Sequence, residues 1–197
     1  MSLTGELNYF LCLQIIQLNE GTFVCQIEYC KDLLKRFGMV DAKSIDTPMA
    51  TNGNLERNEN GKDVEVKKYR GMIGYLLYLT ASRPDIMFSV CMCSRYQSAP
   101  KESHLNVVKL IFRYIHGTSN YGIWFSKGSD CSLVGYTDSD FSGFKSYRKS
   151  ISGTCHIFLN SLVGWHSKKQ VSVSLSTAEA EYIAARSFYA QILWLKQ

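Results

Sequence analysis

The chain has 197 residues, of which 46% are hydrophobic and 13% aromatic, and its formal net charge is +5. This composition excludes an intrinsically disordered protein, suffices for one domain or two small ones, and permits a polyanionic partner without requiring one. The seven cysteines include no C-x-x-C pair, which argues against a secreted disulfide framework.

The sequence shows no membrane or secretion signal. No apolar run approaches the ~18 residues that a membrane-spanning helix needs. The N-terminus lacks the basic and apolar regions of a signal peptide. We therefore expect an intracellular protein, cytoplasmic or nuclear, without a membrane partner.

The first elements are predicted to be a β-hairpin and a helix. Residues 6–18 predict a strand, residues 19–22 a turn, and Phe23 begins the return strand. From residue 27 to residue 37 the apolar positions shift to helical spacing, and Gly38 suits a helix C-cap. Residues 50–66 are polar and rich in Asn and Gly, which predicts a linker.

Three apolar helices are predicted next, and they would pack as a bundle. Pro84 and Pro100 separate them, and Gly117 ends the third. Cys91 and Cys93 lie in an apolar run of the second helix, where buried thiols are favoured over metal ligands. His104 and His116 lie near the ends of the third helix without a partner motif, and we expect surface or capping roles.

After Gly117 the apolar pattern changes to a period of two. Short strands are predicted over 121–126, 131–138, 151–158 and 162–167, and a helix begins at about Ser176. Strands followed by a helix indicate an α+β fold.

Four acids are the only ones from residue 131 to residue 197: Asp138, Asp140, Glu179 and Glu181. Asp138 ends a predicted strand, and Asp140 shares its side if the extended geometry continues. Such carboxylates can bind Mg²⁺, and two Mg²⁺ ions ~4 Å apart can hydrolyse a phosphodiester. The D-x-D pattern also occurs in turns and calcium loops.

The two glutamates have different predicted roles. Glu179 lies three residues after Ser176, so it is favoured as part of a capping box. Glu181 has no capping role and could be a metal ligand or a surface residue near the positive end of the helix dipole.

Trp165, Lys168 and Lys169 allow two interpretations. In one, Trp165 stacks on a base while the two lysines contact phosphate. In the other, the segment is a strand end with a core tryptophan and a solvated charged turn.

Several motifs together resemble the C-terminal part of the Pol polyprotein of copia-type retrotransposons. They are "YRGMIGYLLYLTASRPDIMFSV", "GYTDSDFSG", "RKSISG" and "STAEAEYIAA", and "GELNYFLCLQI" with "YCKDLLKRFGM" resembles the end of that family's reverse transcriptase. The resemblance implies four regions. Residues 1–49 would be the end of the palm as a β-hairpin and helix, 50–66 a linker, 67–120 a three-helix thumb or connection bundle, and 121–197 the N-terminal part of a truncated ribonuclease H-like domain, a sheet with one helix.

The resemblance also implies site residues, a cofactor and a substrate. Asp138 and Glu181 match the catalytic Asp and Glu of ribonuclease H, with Asp140 as a further ligand of Mg²⁺. RNA–DNA hybrid is the implied partner, together with the remainder of Pol if it is encoded nearby. The Asp-Asp pair of the polymerase and the later acids of ribonuclease H do not occur in this sequence. We therefore expect a catalytically incomplete Pol fragment, and the alternative is a repurposed nucleic-acid-binding or protein-interaction module, acting as a regulator or effector without enzyme activity.

Overall fold

Helices and two antiparallel sheets make up the fold, which confirms the α+β class. The computed structural model describes residues 7–50, 55, 56, 58–128, 132–144 and 148–197, with the backbone alone at 142–144. Residues 51–54 and 57 of the predicted linker lie outside the described residues, as does Cys131 at the start of a predicted strand.

The first sheet joins the N-terminal hairpin to a strand from the middle of the chain. Its order is β1-β2-β3-β4, and its strands are β1 (Tyr9–Phe10), β2 (Leu13–Leu18), β3 (Gly21–Cys25) and β4 (Gly122–Ser126). The prediction of one continuous strand over 6–18 was wrong, because Leu11 and Cys12 adopt positive φ angles of 46° and 60° and form a tight turn between β1 and β2. The strand predicted over 121–126 forms as β4 and pairs with β3.

Four helices form the main hydrophobic core of the described residues. They are α1 (Ile27–Arg36), α2 (Val66–Leu79), α3 (Met87–Ser94) and α4 (Glu102–Gly117), and a 3₁₀ turn at Pro84–Ile86 leads into α3. Ile73, Leu76, Ile111 and Phe112 are fully buried at the centre of this cluster. Helical spacing of apolar residues in the sequence therefore predicted the packed faces.

Arg83 connects the segment between α2 and α3 to the end of α4. Its Nη2 atom donates to Asp85 Oδ2 at 2.7 Å and to Thr118 Oγ1 at 2.7 Å, and its Nη1 atom donates to the Thr118 carbonyl at 2.8 Å. The guanidinium is buried and the Asp85 side chain is partly exposed. Burial acts to raise the pKa of Asp85, but hydrogen bonds and charge from Arg83 outweigh it and leave this pKa below its usual range.

His104 is buried, so the expectation of a surface position was wrong and that of a capping role was right. Its Nδ1 atom accepts from the Lys101 amide at 3.0 Å at the start of α4, and its Nε2 atom lies 2.8 Å from the Glu56 carbonyl. Cys93 is fully buried, as predicted, and Cys91 is half-buried. Burial raises the pKa of the Cys93 thiol to about 12, which keeps it protonated near neutral pH.

The second sheet lies between the helical bundle and the last helix. Its order is β5-β6-β7, formed by β5 (Leu133–Phe144), β6 (Lys149–Phe158) and β7 (Ser161–Lys169), and α5 spans Thr177–Leu195. Ile151 belongs to the core cluster of the bundle on one face. On the other face, the His156 ring stacks on Phe188 of α5 with centroids 5.2 Å apart. Each face of this sheet therefore meets a different set of helices.

Candidate functional site

Asp138 and Asp140 lie on the same face of β5, and both are exposed. They pair with Gly153 and Ile151 of β6, and Ser139 between them points to the opposite face because side chains alternate along a strand. Both aspartates line a cavity of about 380 Å³ between the sheet and α3. The cavity wall is otherwise largely apolar and includes Phe88 and Trp165.

The two aspartates influence one another electrostatically. Partial burial raises the pKa of Asp140, and the nearby charge of Asp138 raises it further. Like charges held on one strand face repel, and a bound cation would relieve that repulsion.

Glu181 reaches β5 from the α5 side. Its Oε1 atom accepts a hydrogen bond from the Ser139 amide at 3.2 Å. Ser139 also faces α5 through its hydroxyl, which lies 3.1 Å from Gln170 Nε2. Glu181 thus contacts the backbone between the two aspartates, while their side chains occupy the other face of the sheet.

The residues present do not fit a two-metal centre. Among the described residues, no three His, Cys, Asp or Glu side chains lie close enough together to hold a metal ion. Glu181 accepts a backbone hydrogen bond instead of joining the aspartates. Mg²⁺ needs oxygen ligands in near-octahedral geometry, so the aspartate pair alone would bind it weakly and through water.

Glu179 supports the first turn of α5. The Ser176 hydroxyl accepts from the Glu179 amide at 3.1 Å, as the capping box predicts. The Glu179 carboxylate accepts from the Leu175 amide at 2.7 Å, although the sequence pattern predicted the Ser176 amide as its partner. Glu179 therefore caps α5 as predicted, but its carboxylate bonds the amide one residue before the expected one.

Gln170 attaches the start of α5 to the sheet, and sequence reasoning missed it. Its buried Nε2 atom lies 2.9 Å from Ser152 Oγ and 2.8 Å from the Ala180 carbonyl. Its Oε1 atom accepts from the Ser174 hydroxyl at 3.1 Å. The sequence gives no signal that Gln170 connects α5 to the sheet. Its partners Ser152, Ala180 and Ser174 come close to its side chain only once the chain has folded.

Trp165 does not lie beside the two lysines with which the sequence grouped it. Its indole nitrogen donates to the Thr80 carbonyl at 3.0 Å, and its ring is half-buried against the first cavity. Lys168 and Lys169 are exposed at the end of β7 and line a second cavity of about 290 Å³ together with Arg186 of α5. The structure therefore places Arg186, and not Trp165, with the lysines.

None of the helices in the described ranges combines the length and the apolar character needed to cross a bilayer.

Comparison with known proteins finds relatives along nearly the whole chain. It is 37% identical over 190 residues to the retrovirus-related Pol polyprotein from transposon RE1 of Arabidopsis thaliana, a match covering 96% of this chain and 13% of that protein. It is 38% identical over 202 residues to the Pol polyprotein from transposon TNT 1-94 of Nicotiana tabacum, covering 98% and 15%. It is 32% identical over 190 residues to the uncharacterized mitochondrial protein AtMg00810 of Arabidopsis thaliana, covering 96% and 79%.

These matches differ in how much of each relative they cover. The chain spans only a small part of the two Pol polyproteins but most of the mitochondrial protein. No family model and no solved structure matches the chain.

Proposed function

The chain belongs to the Pol polyproteins of copia-type retrotransposons, and on that premise we propose that it is the segment joining reverse transcriptase to ribonuclease H, which binds RNA–DNA hybrid but does not cleave it alone. Membership of the family and the positive net charge support nucleic acid as the partner.

The positions of the carboxylates on β5 and α5 support the proposal that the protein alone does not cleave the hybrid. The carboxylate of Glu181 accepts the Ser139 amide on the α5 side, while Asp138 and Asp140 occupy the opposite face of β5. Hydrolysis of a phosphodiester by two metal ions requires one group of ligands that holds the ions about 4 Å apart. Carboxylates divided between two faces of a sheet do not form such a group.

The direct test is a cleavage assay with a labelled RNA–DNA hybrid in millimolar Mg²⁺, alongside binding measured by fluorescence anisotropy. We expect the protein to bind the hybrid and leave it intact. Mg²⁺-dependent cleavage that disappears in Asp138→Asn would refute the proposal, because it would show a working metal centre. Absence of hybrid binding would refute the proposed partner.

Metal binding can be measured separately from cleavage. In a Mg²⁺ titration, Asp138→Asn should abolish the weak binding, since one of the two paired carboxylates is lost. Glu179→Gln is the matched control, because that carboxylate caps α5 and should leave Mg²⁺ binding unchanged. Equal Mg²⁺ binding by Asp138→Asn and the parent would show that the aspartates are ordinary surface charges.

Polymerase activity is not expected from this chain. A polymerase holds its two metal ions at the primer terminus with paired aspartates, and no Asp-Asp sequence occurs here. Incorporation of nucleotides by the pure protein on a primed template would contradict this expectation.

A further inference from the structure

We propose that the first cavity, between the second sheet and α3, binds a small organic cation of the quaternary ammonium class. Its charge would lie beside Asp138 and Asp140, and its apolar groups would pack against aromatic side chains of the wall. This inference goes beyond the proposed function and does not rest on it, because neither hybrid binding nor cleavage enters the argument.

Gly153 leaves open space on the sheet side of the cavity. It pairs with Asp138 of β5 and with Ser167 of β7, so the three positions lie on one face of the sheet. A Cβ atom on Gly153 would have no atom within 4 Å, and α3 forms the opposite wall. The volume of about 380 Å³ lies at the small end of ligand pockets, which span about 300–1,000 Å³. The cavity therefore has room for a small ligand.

Three aromatic side chains line this space: Phe88 of α3, Tyr136 of β5 and Trp165 of β7. Phe88 is 44% exposed and Tyr136 is 60% exposed, so both have apolar surface that a ligand could cover. The Trp165 N–H already donates to the Thr80 carbonyl, which fixes the indole in the wall. The negative face of an aromatic ring attracts a cation, and quaternary ammonium groups bind to proteins in this way.

The charge of the wall is negative near neutral pH. Asp138 and Asp140 line the cavity, and none of its described lining residues is a Lys or an Arg. His166 also lines it, but burial is the largest of the causes that lower its pKa, so this ring is neutral near pH 7. Lys169 lies on the same face of the sheet, two strands from Asp140, and does not line the cavity. A cationic ligand would therefore complement the charge of the wall.

An organic cation fits this wall better than a metal ion does. Mg²⁺ requires oxygen ligands in near-octahedral geometry, whereas the wall beyond the two carboxylates is largely apolar and includes Met87 and Leu162. A quaternary ammonium has no N–H group that needs a partner. Its methyl groups carry much of the charge and can pack against apolar side chains and aromatic rings.

The test titrates choline into the protein while NMR follows the indole N–H signal of Trp165. The chain has three tryptophans, and the signals of Trp124 and Trp194, which do not line this cavity, are internal controls. We expect saturable shifts of the Trp165 signal. The neutral analogue, in which carbon replaces the choline nitrogen, should bind at least roughly tenfold more weakly, because it keeps the shape and loses the charge.

Four variants divide the contributions of charge, ring and space. Asp138→Asn should weaken choline binding roughly fivefold, whereas Asp32→Asn, which removes an exposed carboxylate on α1, should not change it. Phe88→Leu should weaken it roughly threefold, because the site keeps an apolar side chain and loses a ring. Gly153→Val should abolish it, since the new side chain fills the open space and leaves the charges in place. Circular dichroism checks that each variant is folded.

Each outcome decides one part of the proposal. If choline does not shift the Trp165 signal, or if folded Gly153→Val binds it as the parent does, the site is refuted. If the neutral analogue binds as tightly as choline, the cavity takes apolar molecules and its assignment to a cation is refuted. If Mg²⁺ at the same concentration shifts the Trp165 signal as choline does, the assignment to an organic cation is refuted. The hybrid assays decide the proposed function separately.

Discussion

Replacing Arg83 by Met should destabilise the helical bundle far more than removing any exposed ion pair. The Arg83 side chain is 1% exposed and bonds both Asp85 and Thr118, so the substitution leaves the Thr118 carbonyl without this donor and the Asp85 carboxylate without its cationic partner. Removing one partner of a buried pair costs about 3–5 kcal/mol. Asp85 is 29% exposed and water can partly solvate it, which favours the lower end, about 3 kcal/mol.

Urea unfolding followed by circular dichroism measures this change in the free energy of unfolding. Lys31→Met is the matched control, because Lys31 and Glu28 form an ion pair at 2.8 Å with both side chains more than half exposed. That pair should contribute only about 0.2–0.5 kcal/mol. A loss below about 1 kcal/mol for Arg83→Met would refute the inference that Arg83 holds the end of α4 to the α2–α3 connection.

The same variant has a pH signature. Because Arg83 lowers the pKa of Asp85 in the folded state, the stability that this pair contributes is fully present above the unfolded pKa of about 3.9. It is lost as the pH falls through the lower folded pKa. The difference in unfolding free energy between parent and Arg83→Met should therefore shrink in acid, and a difference that stays constant from neutral pH down to pH ~2 would contradict the pairing.

Three further substitutions test how α5 is held. Gly135→Ala should lower the free energy of unfolding in urea by about 1–3 kcal/mol, because the new Cβ would lie 2.4 Å from the Phe188 ring. Gly153→Ala is the control and should be nearly neutral, because its new Cβ would have no atom within 4 Å. Equal losses in the two variants would contradict close packing between Gly135 and Phe188. Gln170→Leu should lower the free energy of unfolding by about 1–3 kcal/mol, because the Ala180 carbonyl loses a buried donor. Amide hydrogen exchange at the first turns of α5 should become faster. Unchanged exchange would show that Gln170 does not hold α5 to the sheet. Glu179→Gln should cost about 1 kcal/mol or less in thermal unfolding, and a larger loss would mean that Glu179 does more than cap the helix.

The helices were predictable because their signals are local. Apolar residues at helical spacing marked α1, α2 and α4, and Pro84 and Pro100 marked the breaks between them. The turn between β1 and β2 was not predictable, because Leu11 and Cys12 are not the Gly or Asn residues that usually adopt positive φ. The pairing of β4 with β3 also has no local sequence signal, because the four helices of the bundle separate the two strands along the chain and must pack before the strands can meet.

At the candidate site, the sequence indicated which carboxylates to examine but not how they are arranged. Strand alternation correctly placed Asp138 and Asp140 on one face. The contact of Glu181 with the Ser139 amide depends on how α5 packs on the sheet, which no spacing along the chain encodes. Arg186 was missed for the same reason, because its neighbours Lys168 and Lys169 belong to a different element.

The pairing of β3 with β4 has a consequence for how the protein is made. Cys25 pairs with Gly122, about 100 residues later, so the hairpin emerges from the ribosome long before its last strand exists. At ~5–20 residues per second, synthesis of that interval takes on the order of ten seconds. Throughout this time the outer edge of β3 has unpaired amides and carbonyls that another chain could occupy. We expect the nascent protein to depend on a chaperone, or on early docking of α1, to keep that edge from aggregating until β4 arrives.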